Sequence, residues 1–367
     1  MTPESPYRQV MGHAVRVLPE QGHERATHAW ICAEIGRILC VPCVDSASGS
    51  PSAPAGTYHV PDDTLTLQQA RTLGIHDLDS VLGGVVPHAF LATKVISHPL
   101  VDTAATAIEG WNPALARALV PATLPGHTAF SRADAYRAYA LLRAEGGLRL
   151  KLPTGIGGRG QWRVDDETEL KKLLEALPPD YLPTHGVVLE RNLREVVTHS
   201  VGELLCAGIR IAYYGTQRSV RDLDGNEVYG GSDLHVRRGT LEALAARDWP
   251  AAQKRAISQA CIYDRFIAGA YPDLHVSRRN YDVVTGTDEH GRPMCGVLEQ
   301  SWRVGGATPA ELAAVAAFQR DPALHEVRAA THESYLDDAP AGAEIYYRAA
   351  VSGHGPRLKY RTTSPVP

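Results

Sequence analysis

The sequence predicts a mixed α/β (α+β) protein, and three observations carry that expectation. Helix-like and strand-like hydrophobic periods alternate along the chain instead of segregating into separate halves. A strand that delivers Lys151 runs into a turn holding four glycines in six residues and returns as a second strand. Further on, two strand-like runs around Asp282 and Glu299 are joined by the polar turn TDEHGRP and carry acids on both arms. The 367 residues suffice for two to three domains of about 100–200 residues each.

Taken in order, ATHAWICAEIGRILCVPCVD reads as a helix running into a short apolar strand, and 46–56, SASGSPSAPAG, as a surface loop. The alternation Thr64-Leu65-Thr66-Leu67 and the run GGVVPHAFLATKVISHPLV complete a small α/β domain over 1–125. A helix then starts at Ser131, whose hydroxyl can cap the N–H of Asp134, with Phe130 and Ala135 placed as a hydrophobic staple; Gly146-Gly147 ends it. A strand over 148–152 and its return over Gln161–Val164 precede an amphipathic helix over 165–177, with Leu170, Leu173, Leu174 and Leu177 at i, i+3, i+4, i+7. Strands are expected over 186–190 and 204–214, and a helix over 241–270 broken near Trp249-Pro250. The strands 281–285 and 295–299 form a hairpin. Thr308-Pro309-Ala310-Glu311 opens a helix as a capping box with proline at its first position, and the last twenty residues read as irregular. No repeat of 20–50 residues is present.

Composition excludes several function classes. Hydrophobic residues make up 44% and charged residues 21%, and the formal charge of −4 leaves no basic face for nucleic acid. No apolar run reaches the roughly 18 residues of a membrane span. The opening MTPESPYRQVMGH lacks the layout of a secretory signal, so a cytoplasmic protein is expected. Of the cysteines at 32, 40, 43, 206, 261 and 295, only Cys40 and Cys43 are close, and no second C-x-x-C completes a zinc site. Reduced thiols are the favoured reading over a redox pair. Among sixteen histidines there is no H-E-x-x-H, and no G-x-S-x-G elbow occurs.

The turn after Lys151 is a candidate phosphate cradle. Glycine permits positive φ and close backbone approach, so successive N–H groups can face phosphate oxygens, and a neighbouring lysine adds a point charge. Because the lysine precedes the glycines and a strand follows them, this is neither a Walker A loop nor a dinucleotide fingerprint. The competing reading is a glycine-rich turn without a ligand, but four glycines exceed what a hairpin needs at about 0.5–1 kcal/mol each. The second hairpin is a candidate magnesium site: Asp282 on one arm, Glu299 on the other, and the oxygens of Gln300 and Ser301 form an all-oxygen set that phosphates would complete. Asp288 and Glu289, in the turn itself, are expected to be ordinary solvent-facing acids.

These two hairpins, in this order, resemble the ATP-grasp superfamily, to which biotin carboxylase and the D-alanine ligases belong, over roughly 126–310. The resemblance implies an ATP-grasp fold: the N-terminal α/β domain (1–125), a lid lobe with the glycine-rich loop (126–185) and a core lobe with the metal site (186–367). It matches Lys151, Gly157, Gly158 and Gly160 to the phosphate loop, and Asp282 and Glu299 to the metal set. Arg303 matches the basic residue that follows, as a catalytic group beside Lys151. Glu190, Asn192 and Leu193 match the hinge bordering adenine, and Glu195 sits where an acid could contact ribose. Ser301 departs from the usual asparagine. The implied activity is an ATP- and Mg2+-dependent ligase: a small-molecule carboxylate is converted to an acylphosphate, which an amine or similar nucleophile displaces. Homodimerisation is compatible with it. The alternatives are an ATP-binding regulatory protein without turnover and a small-molecule kinase; a biotin-dependent carboxylase is disfavoured by the lack of a Met-Lys-Met acceptor. The ribbon over 213–239, with Arg210, Arg218, Arg237 and Arg238, has no counterpart in well-known members and is a candidate for acceptor recognition, against an equal reading as solvated charges.

Overall fold

In the computed structural model, which describes residues 5–18, 22–45, 53–153, 160–336, 338–349 and 355–366, the chain opens with strand β1 (Gln9–His13) and helix α1 (His23–Leu39). Strands β2 (Cys43–Asp45) and β3 (Thr57–Pro61) flank β1 in a parallel sheet of order β2-β1-β3. Parallel neighbours need a crossover, which α1 supplies. It buries Ile31, Ile35, Ile38 and Leu39 and stops at Cys40 in the left-handed region (φ 57°). After β4 (Leu65–Thr66), helix α2 (Leu67–Thr72) is held by a reciprocal Thr66–Gln69 cap. Strand β5 (Gly84–Val86) pairs with β4, and helix α3 (Pro113–Leu119) follows.

The lid sheet has the order β6-β9-β7-β8, from β6 (Gly126–Ala129), β7 (Leu148–Lys151), β8 (Gln161–Val164) and β9 (Val187–Arg191). One face is covered by α4 (Arg132–Arg143) and α5 (Glu167–Glu175), with α6 (Tyr181–His185) leading into β9. The Ser131 hydroxyl accepts the Asp134 N–H at 3.1 Å, as the sequence predicts. The predicted lobe boundary at 186 moves: β9 lies between β6 and β7, because Val187 and Leu189 bury among Leu148, Leu150, Leu170 and Leu174 of the lid.

The core lobe begins with β10 (Arg194–Cys206) and β11 (Ile209–Arg221). They are joined at Ala207 (φ 52°) and Gly208 (φ 71°), the two positive-φ positions of a type I′ turn. The single strand predicted over 204–214 is therefore a hairpin. β12 (Glu227–Arg238), α7 (Leu241–Ala245) and α8 (Ala251–Ala270) follow, the two helices separating at Trp249-Pro250 as predicted. β13 (His275–Val276) pairs with β5, tying the core to the first domain. Strands β14 (Arg278–Thr287) and β15 (Pro293–Ser301) form the predicted hairpin, followed by α9 (Thr308–Arg320), β16 (Glu326–Ser334), β17 (Glu344–Arg348) and β18 (Leu358–Pro365). The sheet order is β15-β14-β10-β11-β12-β16-β18-β17. Residues expected to be irregular thus supply β18, which is paired on both sides. Helix α9 opens where predicted, but the capping box does not form. Glu311 is fully buried and taken by Arg278 and Tyr213, while the Thr308 hydroxyl accepts the Gly305 N–H.

The large sheet is covered on both faces. On one, Leu204, Ile211, Tyr213 and Val236 pack with α9 and with Val10, Ile31, Ile35 and Val60 of the first domain. On the other, Val201, Tyr214, Tyr281 and Val283 pack with α8 and with Phe90, Leu91, Val95 and Ile96. Residues 1–125 consequently share their main cores with the core lobe, and this seats the 86–98 segment beside β15. No helix among the described residues is long and apolar enough to cross a membrane. None of the six cysteines is in a disulfide bond.

Candidate active site

The β14–β15 ladder sets Asp282 opposite Glu299 and Asn280 opposite Ser301, with a register shift just beyond Asp282 that leaves Leu298 as the extra residue. Side chains alternate across a strand, so Glu299 and Ser301 share one face and Gln300 takes the other. There the Gln300 amide donates to the Leu91 and Thr93 carbonyls and accepts from the Tyr263 hydroxyl at 2.9 Å. Gln300 is therefore a core tie beneath α8 and not part of the acid set, which corrects its predicted role as a metal ligand.

Glu299 meets a residue the sequence did not single out. Lys94, 4% exposed, places Nζ 2.5 Å from Glu299 Oε2. Asp282 Oδ1 accepts from Gln217 Nε2 at 2.7 Å and Asn280 Nδ2 at 2.8 Å. Burial, and then the Glu299 charge facing it, push the Asp282 carboxyl up to about 6 against the opposing pull of those two amides and Lys94. Two carboxylates that share one lysine are short of one positive charge, and their hard oxygens fit a divalent cation. Among the described residues no group of three or more His, Cys, Asp or Glu forms a metal cage. A magnesium ion here would draw its remaining ligands from phosphates and water.

Lys151 lies on β7, on the face away from the lid core. Its Nζ is 2.5 Å from Glu190 Oε1 on β9, and His98 Nε2 is 3.1 Å from Glu190 Oε2; all three are almost inaccessible. Burial raises the Glu190 carboxyl, but Lys151 and His98 more than offset it and bring it to about 2. A carboxylate depressed from the usual 4.5 gives stability that is complete above pH about 4.5 and is lost as pH falls towards 2. Urea titrations at stepped acid pH should show this loss, on the order of 3 kcal/mol at about 1.4 kcal/mol per unit. Glu190→Gln should remove that part of the pH dependence.

One short segment joins the two charge centres. Lys94–Ser97 form a 3₁₀ turn, Thr128 Oγ1 of β6 donates to the Val95 carbonyl at 2.6 Å, and His98 follows directly. Four residue steps span no more than about 14 Å even when extended, so the backbones carrying the Glu299 and Glu190 contacts are near neighbours. A second tie joins the lobes where Glu289 Oε2 accepts the Gly147 N–H at 2.8 Å. Glu289 is thus a bridge between lobes, and Asp288, predicted to face solvent, is 2% exposed and accepts the N–H groups of His290 and Arg292.

The other predicted residues distribute as follows. Gly157 and Gly158 lie outside the described residues; Gly160 (φ 68°) accepts the Leu152 N–H at 2.8 Å and closes the hairpin. Asn192 Oδ1 accepts two Arg149 N–H groups, and Leu193 lies against Gly286. Glu195 is exposed at φ 51° on a bulge of β10 and makes no side-chain hydrogen bond among the described residues. Arg303 donates to the Val304 carbonyl, with Asp63 at 3.9 Å; burial and then Arg16 hold its pKa below the usual arginine value. The arginines of the ribbon are engaged internally: Arg210 with Glu203, Arg218 with Asp233, Arg237 with Glu326, and Arg238 with the Leu324 carbonyl. That arrangement favours the structural reading of those charges. Lys94, His98, Gln217 and Asn280 were missed. A lone lysine in the apolar run FLATKVIS was the available signal for the first.

A family model described as "Protein of unknown function (DUF3182)" matches residues 10–361. No curated protein matches the chain. Among solved structures, it is similar to N5-carboxyaminoimidazole synthetase from Staphylococcus aureus complexed with ADP, with a TM-score of 0.55 and 11% identity, covering 98% of this chain and 94% of that one. It is also similar to D-alanyl-alanine synthetase A from Vibrio cholerae O1 biovar eltor, with a TM-score of 0.51 and 13% identity, covering 84% and 91%. D-alanine–D-alanine ligase from Bacillus anthracis gives a TM-score of 0.50 and 13% identity over 85% and 93%. At such identities the likeness is one of fold.

Proposed function

The chain belongs to the DUF3182 family and has the ATP-grasp fold, and from that premise we propose that it is an ATP- and Mg2+-dependent carboxylate-activating ligase. The observation that carries this reading is the Asp282–Glu299 pair, tied through the 94–98 segment to the Lys151–Glu190 pair of the lid. Lys151 and the loop of Gly157, Gly158 and Gly160 hold the β- and γ-phosphates, and the Glu190–Leu193 strand end borders adenine. Asp282 and Glu299 would hold magnesium, with Ser301 on the same face; the ion, when bound, neutralises charge on the phosphates.

A substrate carboxylate oxygen attacks the γ-phosphorus as the bond to the β-bridging oxygen breaks and ADP leaves. The nitrogen of an amine then attacks the acyl carbon, and inorganic phosphate departs. The protein's contribution is position and charge, with Arg303 steadying the acylphosphate. Two observations favour a second reading, an ATP-binding protein without turnover: Lys94 already neutralises Glu299, and Ser301 is a weak ligand.

Hydroxylamine distinguishes these readings because it converts an acylphosphate into a stable hydroxamate. With ATP, Mg2+ and pooled carboxylic acids, a ligase should release ADP and phosphate in step with hydroxamate. A phosphorylated product without free phosphate identifies a kinase, and ATP affinity without ADP formation identifies the regulatory protein.

A further inference from the structure

We propose that Asn280 and Gln217 are positioning residues that commit one oxygen of Asp282 to the protein and leave the other for the cation. The proposal rests on the reading of Asp282 and Glu299 as metal ligands. Both amides converge on the same atom: Asn280 Nδ2 and Gln217 Nε2 donate to Oδ1 at 2.8 and 2.7 Å. Oδ2 accepts no hydrogen bond among the described residues, and Glu299 beside it pairs with Lys94. A carboxylate satisfied on one oxygen, beside a second carboxylate, is stabilised when a cation takes the other.

Each amide is itself oriented. Gln217 Nε2 also reaches Ser200 Oγ at 3.1 Å, and Ser200 is the ladder partner of Asp282 on β10. The Tyr213 hydroxyl lies 3.0 Å from Asn280 Oδ1 and 2.7 Å from Glu311 Oε1 and shares its single proton between these two acceptors. Glu311 is gripped by Arg278 through Nε and Nη2 at 2.7 and 2.8 Å. Reversing the Asn280 amide would set its oxygen against the Asp282 carboxylate, two acceptors with no proton between them, so the amide group that faces the acid is fixed. Asn280 also stands opposite Ser301 in the ladder. The amide that the family resemblance expects on β15 is thus found on β14, where it holds a ligand in place.

Mn2+ with ADP provides the probe, read by electron paramagnetic resonance of free Mn2+. The wild-type chain should bind Mn2+ in the presence of ADP, and Asn280→Ala and Gln217→Ala should each weaken Mn2+ by about 10–100-fold, the usual effect of losing a partner that orients a ligand. Gln217 is only half-buried, so its variant serves if Asn280→Ala does not fold. Tyr213→Phe, which keeps the amide but loses its orienting hydroxyl, should fall between wild type and Asn280→Ala. Wild-type-like Mn2+ affinity in both alanine variants overturns the inference while leaving the metal site intact. Failure of the wild type to bind Mn2+ with ADP overturns both.

Discussion

Glu299→Ala is expected to weaken Mg2+-dependent nucleotide binding and ATP turnover by at least about 100-fold, beyond the range for an orienting partner, because it removes a ligand itself. The fold should survive. Lys94 would lose its ion pair with Glu299, but Asp282 faces Glu299 across the ladder, and the ammonium can turn to it. Glu299 is 29% exposed at its side chain, so solvent discounts the loss of the ion pair. Circular dichroism and a thermal midpoint within a few degrees of wild type, together with lost Mg2+-dependent ADP affinity in calorimetry, are the expected results. Retained affinity would remove Glu299 from the site.

The largest effect on stability is expected at the Lys151–Glu190 pair of the lid. Glu190→Ala leaves Lys151 buried without its counter-charge and should cost about 3–5 kcal/mol in urea unfolding, the usual penalty for breaking a buried pair. Replacing both partners, as Lys151→Met with Glu190→Gln, should restore much of that loss, because neutral groups of similar size need no buried counter-ion. Nucleotide binding should not return with it, since the phosphates would then lack the Lys151 ammonium. A double variant as unstable as the single one would show that the pair acts by packing and not by charge.

The two hairpins were legible in the sequence because their signals are local. Glycine spacing after Lys151 marks a turn whatever surrounds it, and the TDEHGRP turn between alternating runs sets Asp282 and Glu299 on facing arms. The groups that complete the site were not legible, because Lys94 and His98 meet Glu299 and Glu190 only through tertiary packing of a segment without regular period. Gln300 was misassigned for a related reason: alternation alone places it opposite Glu299, but the tie to Leu91 and Thr93 that fixes its amide comes from another domain. The Ala207-Gly208 turn stayed hidden between two apolar strands with a single glycine as its mark. Strand β18 reads as polar and irregular, since its pairing partners, and not its own pattern, make it a strand.

A crystal structure of the chain with Mg2+ and a non-hydrolysable ATP analogue tests the central claim most directly. The triphosphate should lie between the lid sheet and the β14–β15 hairpin, with the ion on Asp282 and Glu299 and the phosphates within reach of Lys151. Nucleotide bound elsewhere, or bound there with its ion remote from both acids, would contradict it.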